Sequence, residues 1–174
     1  VIDEAYIDFG GESAAQLIPD FDNLLVVQTL SKSRSLAGLR VGFAMGDPAL
    51  IEGLNRVKNS FNSYPLDVLA QKAALAAIGD EEYFAECCGR IVDSRQKLTE
   101  GLLARHFDVL PSHANFVFAR HRDQPAKSLF QGLREHGIIV RHFERDRIDN
   151  FLRISVAADE ANNALLEALD ELIK

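Results

Sequence analysis

The sequence predicts an α/β fold. Three observations carry that expectation: short apolar runs broken by loops over the first third, long helical stretches in the middle, and a strand, helix, strand, strand, helix order in the last third. With 174 residues and 47% hydrophobic content, the chain can bury a substantial core in one domain, or in one domain and part of another.

Residues 1–6 open with a short strand. Residues 23–30 make the clearest one, a continuous apolar and β-branched run of the kind buried on both faces, and residues 40–45 make a third. Gly10-Gly11 and Pro19-Asp20 punctuate the loops between them. From Asp47-Pro48 to about residue 57 the pattern becomes helical, with Asp47 as the cap and proline at the first helical position, where its missing N–H is harmless. A second helix is predicted over residues 65–78. Its broad apolar face is Leu66, Val68, Leu69, Ala73, Leu75 and Ala76, and Gly79 stops it. A third helix, over residues 81–106, is long and charged outside. The remaining order is strand 116–119, helix 126–136, strand 138–143, strand 151–156 and helix 160–173, a lobe of about seventy residues. There is no internal repeat and no low-complexity tract.

Composition excludes several classes of function. Nineteen basic residues against 26 acidic ones give a net charge of −7, which argues against a nucleic-acid surface and for a small-molecule partner held at a locally basic site. No apolar run approaches the eighteen or so residues that cross a bilayer, so no membrane partner is predicted. Cys87 and Cys88 are adjacent in a helical stretch, cannot conveniently bridge each other and offer no metal spacing, so a reducing, cytoplasmic location is the default. The five histidines have no ligand spacing, and no metal is expected. Opening without methionine on Val1-Ile2 and running into Asp3-Glu4, the chain reads as a piece cut from something longer.

The chemistry concentrates in Thr-Leu-Ser-Lys-Ser-Arg-Ser-Leu-Ala-Gly-Leu-Arg-Val-Gly, Thr29 to Gly42. A lysine after a buried strand is ordinarily a solvated loop residue. Here Thr29 and Ser31 add hydroxyls, Gly38 permits a close backbone approach, and Arg40 adds a planar fork suited to phosphate. Together they describe a pocket for a phosphorylated ligand with the Lys32 amine beside it. An amine near a second cation and partly desolvated gives up its proton more readily, which is the condition for forming an imine with an aldehyde. Asp3 follows Val1-Ile2 at the C-terminal edge of a sheet, where α/β proteins bind ligands, and a buried carboxylate there needs a cationic partner. The protonated ring nitrogen of pyridoxal phosphate is such a partner. A turn after Ala5 lets Tyr6 share the site. Taken alone, Asp3 also reads as a salt-bridge acid and Tyr6 as an edge aromatic. Arg34, Arg145 and Arg147 read as plain surface charges, Asn115 and Phe116 as packing and turn residues, and Tyr64 as a helix-entry aromatic.

Val-Ile-Asp-Glu-Ala-Tyr, then Thr-Leu-Ser-Lys, then Ser-Leu-Ala-Gly-Leu-Arg-Val-Gly resemble the cofactor-binding core of the fold-type I pyridoxal-phosphate aminotransferases (class I/II), closest to the histidinol-phosphate branch. The likeness continues through Asn62–Leu66, Ser112–Phe118, Gly137–Arg141 and Phe151–Val156, and so covers essentially the whole chain. It implies the C-terminal part of that fold: residues 1–60 as the end of the large cofactor-binding domain, 61–106 as connecting helices and 107–174 as the small α/β domain. It implies pyridoxal 5′-phosphate as cofactor, with Lys32 as the Schiff-base lysine and proton shuttle. Asp3 would meet the pyridine nitrogen, Tyr6 the ring hydroxyl, and Thr29, Ser31 and Arg40 the phosphate. Arg153 would grip a substrate carboxylate and Arg141 a substrate phosphate; by pattern alone both read equally as strand-edge charges.

The activity implied is transamination between L-histidinol phosphate and 2-oxoglutarate in histidine biosynthesis, by a homodimer when full length. A related aromatic aminotransferase or a phosphothreonine decarboxylase on the same scaffold is the alternative. A ligand-sensing domain of a transcription regulator is the alternative of another class. The family's N-terminal arm, its glycine-containing phosphate turn, its ring-stacking aromatic and its asparagine beside the ring oxygen have no match in this sequence, so the chain alone is expected to bind cofactor weakly or not at all.

Overall fold

The apolar run at residues 23–30 becomes the central strand of a three-stranded sheet in the computed structural model, which describes residues 1–174. This strand, β2 (Leu25–Thr29), pairs in parallel with β1 (Ile2–Asp3) and antiparallel with β3 (Gly42–Gly46). The register sets Asp3 opposite Val27 and Thr29 opposite Gly42. β1 is far shorter than the predicted strand at 1–6. The Asp3 carboxylate accepts the Ala5 N–H at 3.0 Å and bends the chain out of the sheet, and a 3₁₀ turn, Ile7–Phe9, follows. β3 starts at Gly42 instead of residue 40 because Arg40 is left-handed, with φ of 56°, a conformation no strand accepts.

Asp47 does cap α1 (Pro48–Phe61), its carboxylate accepting the Ala49 N–H at 2.8 Å. The second helix, α2 (Val68–Gly79), begins three residues later than the prediction at 65. Asp67 caps it by accepting the Ala70 N–H at 2.8 Å, which leaves Pro65 outside. The predicted apolar face does not turn inward. Ala70 and Ala74 are buried, while Val68, Leu69 and Leu75 are 64%, 76% and 71% exposed. The helix is apolar all round, so its pattern cannot choose a face, and two alanines one turn apart allow the closest approach to Leu30 and Val41.

The chain divides into two compact units, Val1–Cys88 and Gly89–Lys174, and the division falls inside α3 (Glu81–Leu103). That helix ends short of the predicted residue 106. A left-handed His106, φ 62°, turns the chain into an unforeseen strand, β4 (Phe107–Val109). It joins β5 (Phe116–His121), β6 (Arg141–His142) and β7 (Leu152–Ser155) in an antiparallel sheet of order β4-β5-β7-β6, with α4 (Ala126–Glu135) after β5 and α5 (Asp159–Leu172) after β7. The strand predicted over 138–143 is only two residues long, because the chain is still closing α4 there: Gly137 is left-handed at φ 77° and the Ile138 N–H returns to the Leu133 carbonyl at 2.8 Å.

The second unit carries the larger core. Leu98, Leu102, Phe107, Val117, Leu133, Leu152, Ile154 and Leu169 are essentially inaccessible, each burial contributing ~1.5–3 kcal/mol. Leu152 and Ile154 point into this core, so strand alternation turns Arg153 and Ser155 to the opposite face. Buried Asn162 seals the entry to α5 by accepting the Ala157 N–H and donating to the Ala157 carbonyl. No helix is long and apolar enough to cross a membrane.

Candidate functional site

Because β1 and β2 run in parallel, their C-terminal ends share one sheet edge, and antiparallel β3 begins at that same edge. Such an edge is where α/β sheets take ligands. The topology therefore brings Asp3, Tyr6, Thr29, Ser31, Lys32 and Arg40 to one border of the first unit. Asp3 lies opposite Val27, and strand alternation puts Val27 and Thr29 on one face, so the Asp3 carboxylate and the Thr29 hydroxyl share it. The Lys32 amine sits 5.4 Å from the centre of the Tyr6 ring.

The loop between Thr29 and Gly42 is internally bonded. The Thr29 hydroxyl lies 2.8 Å from that of Ser31 and 3.2 Å from the Val41 carbonyl, and accepts the Ser31 N–H at 3.1 Å. The Arg40 guanidinium donates to the Ala37 carbonyl at 3.0 Å. Ser35 and Arg40 both adopt left-handed φ, 57° and 56°, a strain on the order of 1 kcal/mol each that clusters at sites where backbone shape serves function. A Cβ at Gly38 would meet nothing within 4 Å, so the close approach expected there is to open space, not to another part of the chain. Lys32 and Arg40 are exposed.

Two expectations need correction. Asp3 is exposed, and the buried carboxylate is its neighbour Glu4, 6% exposed on the opposite face of the strand. Glu4 accepts the Ala14 N–H at 2.6 Å, the Ser13 hydroxyl at 2.8 Å and the Gln28 amide at 2.9 Å. Burial alone would push this carboxyl up, but the bonds from Gln28, Ala14 and Ser13 outweigh it and hold the group below its ordinary value. Arg34 is not a plain surface charge either. Its guanidinium stacks 3.7 Å from the centre of the Phe84 ring and donates to the Ala77 carbonyl, tying the lysine loop to α2 and α3. Burial first, then the Asp8 charge, pushes the Cys88 thiol up, which makes it a packing residue and not a nucleophile. No group of three or more His, Cys, Asp or Glu side chains is placed to hold a metal ion.

In the second unit Arg141 and Arg153 are direct cross-strand partners on β6 and β7. Each guanidinium lies over an aromatic ring, Arg141 at 5.2 Å from Phe143 and Arg153 at 5.3 Å from Phe116. Like charges set opposite each other repel unless an anion joins them. They line a concavity of about 460 Å³ with Phe130, Arg134, His142 and Ser155, and no carboxylate lines it. Arg134, on the last turn of α4, was not anticipated, since a charge near a helix C-terminus is explained by the helix dipole alone. Asn115 serves packing through its carbonyl, which accepts the Val156 N–H at 2.9 Å, and Tyr64 is 89% exposed.

A family model for aminotransferase class I and II matches residues 1–172. The chain belongs to this family. Among curated relatives, this class I and II aminotransferase chain is 62% identical to the histidinol-phosphate aminotransferase of Pseudomonas entomophila, over 97% of the chain and 49% of the relative. Among solved structures it resembles the histidinol-phosphate aminotransferase of Clostridium acetobutylicum, with a TM-score of 0.89 at 26% identity over 99% of the chain and 53% of that structure. It also resembles the Sinorhizobium meliloti histidinol-phosphate aminotransferase crystallised with pyridoxal-5′-phosphate, with a TM-score of 0.85 at 28% identity over 98% of the chain and 47% of that structure. The chain spans about half the length of the curated relatives it matches.

Proposed function

We propose that this chain is the lysine-bearing portion of a pyridoxal-phosphate-dependent aminotransferase that transfers an amino group from L-histidinol phosphate to 2-oxoglutarate in the cytoplasm. The observation that carries the reading is the sheet register, in which a carboxylate at the end of β1, two hydroxyls at the end of β2 and a lysine amine 5.4 Å from a tyrosine ring meet at one edge. The donor set fits pyridoxal phosphate: a carboxylate for a pyridinium, a phenol for a ring oxygen, hydroxyls and a guanidinium for a phosphate, and open space above Gly38. When bound, that cofactor supplies an electron sink for the carbanion left at the substrate's α-carbon.

The chain's own residues do the rest. Asp3 keeps a proton on the ring nitrogen by countering its charge. Tyr6 donates to the ring oxygen, and Thr29, Ser31 and Arg40 fix the phosphate. Lys32 would hold the cofactor through its amine and, as the base beside the substrate α-carbon, would take and return the proton there. Arg141 takes the phosphate of the amino donor, and Arg153 takes the α-carboxylate of 2-oxoglutarate through a two-pronged bond. In this assignment residues 1–60 close the large domain, 61–106 connect, and 107–174 form the small domain. The substrate is supported by relatives at 58–62% identity whose names give that activity. The test is the visible absorbance of the intact full-length protein incubated with pyridoxal phosphate. The wild type develops a visible band on the order of one cofactor per chain; Lys32→Ala develops none, and a colourless wild type sinks the assignment.

A further inference from the structure

Residues assigned to the cofactor alternate along the chain with residues that bond across the same sheet edge. Asp3 is followed by Glu4, Asp8 lies two residues beyond Tyr6, Thr29 is preceded by Gln28 and Lys32 is followed by Ser33. The intervening residues are paired. The Gln28 amide donates to the Glu4 carboxylate at 2.9 Å, and the Ser33 hydroxyl donates to the Asp8 carboxylate at 2.5 Å. Glu4 and Ser33 are buried, at 6% and 7% exposure. Each bond joins the segment carrying Asp3 and Tyr6 to the segment carrying Thr29 and Lys32, the first just before the lysine loop and the second inside it. The backbone ladder between these segments ends at the Glu4 N–H, which donates to the Val27 carbonyl at 2.8 Å, so beyond that point side chains must hold the spacing.

We propose that Glu4–Gln28 and Asp8–Ser33 are positioning pairs that fix the separation and tilt of the Asp3–Tyr6 segment against the Thr29–Lys32 segment. The inference rests on the cofactor reading of Asp3 and Lys32. A buried carboxylate taking three donors is strongly directional, since any displacement strands a charge or a donor away from water. The Glu4 network also ties down Ser13 and Ala14, so the strand end is held from both sides. The Ser33 bond acts one residue from the reacting amine, where a small displacement of the loop is passed directly to Lys32.

Four variants of the holoenzyme test this. Gln28→Glu sets a second carboxylate against the buried Glu4, and adding Glu4→Gln restores the bond with donor and acceptor exchanged. Ser33→Ala deletes the hydroxyl, and Ser33→Thr keeps it. The readouts are the dissociation constant for pyridoxal phosphate and the visible circular dichroism of the bound cofactor at saturation, which reports its orientation. The melting temperature of the cofactor-free protein reports structure alone. Gln28→Glu and Ser33→Ala are each expected to weaken cofactor binding about tenfold and to reduce the dichroic signal, with the exchanged pair and Ser33→Thr recovering most of both. Where Gln28→Glu does not fold, the two Ser33 variants decide the matter. A lowered melting temperature with cofactor affinity and dichroism unchanged overturns the proposal and leaves the pairs purely structural. A wild type with no visible band overturns the cofactor reading instead.

Discussion

Lys32 and Arg40 stand on one loop yet meet different partners. The Lys32 amine is drawn toward the Tyr6 ring, whereas the Arg40 guanidinium is fixed to the Ala37 carbonyl on the other side of a strained 3₁₀ turn. A serine-rich bend is needed because hydroxyls satisfy the backbone of a loop that has left the sheet, as Thr29 does for Ser31. These residues were legible because they are consecutive in sequence and chemically unusual together. Glu4 and Arg34 were not, since what defines each is a partner far along the chain: Gln28 is 24 residues from Glu4, and the Ala77 carbonyl is 43 residues from Arg34. By pattern alone Arg141 and Arg153 read equally as strand-edge charges, since their direct pairing across β6 and β7 is set by the register and not by any local motif. Arg141→Ala should raise the KM for histidinol phosphate by roughly ten- to hundredfold, the ~1.5–3 kcal/mol of a charge-assisted contact, and change the KM for a non-phosphorylated amino donor far less. Steady-state kinetics with both donors checks it, and equal losses would remove the reason for preferring a phosphate ester.

At the scale of elements, the parallel pairing of β1 with β2 does most to build the site, because it is what aligns the ends of two strands that are far apart in sequence. Its anchor is Glu4. A carboxyl held below its ordinary value of 4.5 in the folded state contributes stability that is complete above that value and is lost as pH falls through it toward the folded-state value. Thermal melts of the wild type should therefore lose stability as pH falls below 4.5 more steeply than those of Glu4→Gln, and parallel curves would contradict the assigned role. Helices with a sequence-local cap were read correctly, as Asp47-Pro48 opening α1 illustrates. Strands of two or three residues, β4 and β6, were missed or overextended because they are too short to establish an alternation, and tertiary pairing alone defines them. The buried face of α2 was misjudged because nearly every residue on it is apolar, so shape rather than hydrophobicity selected Ala70 and Ala74.

For the molecule as a whole, the two compact units differ in how much they bury. The second closes on a continuous core of large side chains, whereas in the first Val57, Phe61, Leu69 and Leu75 on α1 and α2 are 61%, 75%, 76% and 71% exposed. We propose that the intact protein is a homodimer, as the family resemblance implies. Sedimentation equilibrium of the holoenzyme should return twice the protomer mass, and a monomer at micromolar concentration would contradict it. The fold class and the family were legible from short local motifs, while the division of the chain inside α3 was not, because one uninterrupted helix carries no compositional break. The central claim is that Lys32 carries the cofactor covalently. Borohydride reduction of the intact full-length protein incubated with pyridoxal phosphate, followed by peptide mass spectrometry, should find the pyridoxyl phosphate mass on the peptide containing Lys32 and on no other lysine at comparable yield. An unmodified Lys32, or the same yield spread over Lys58, Lys72 and Lys97, would contradict the account.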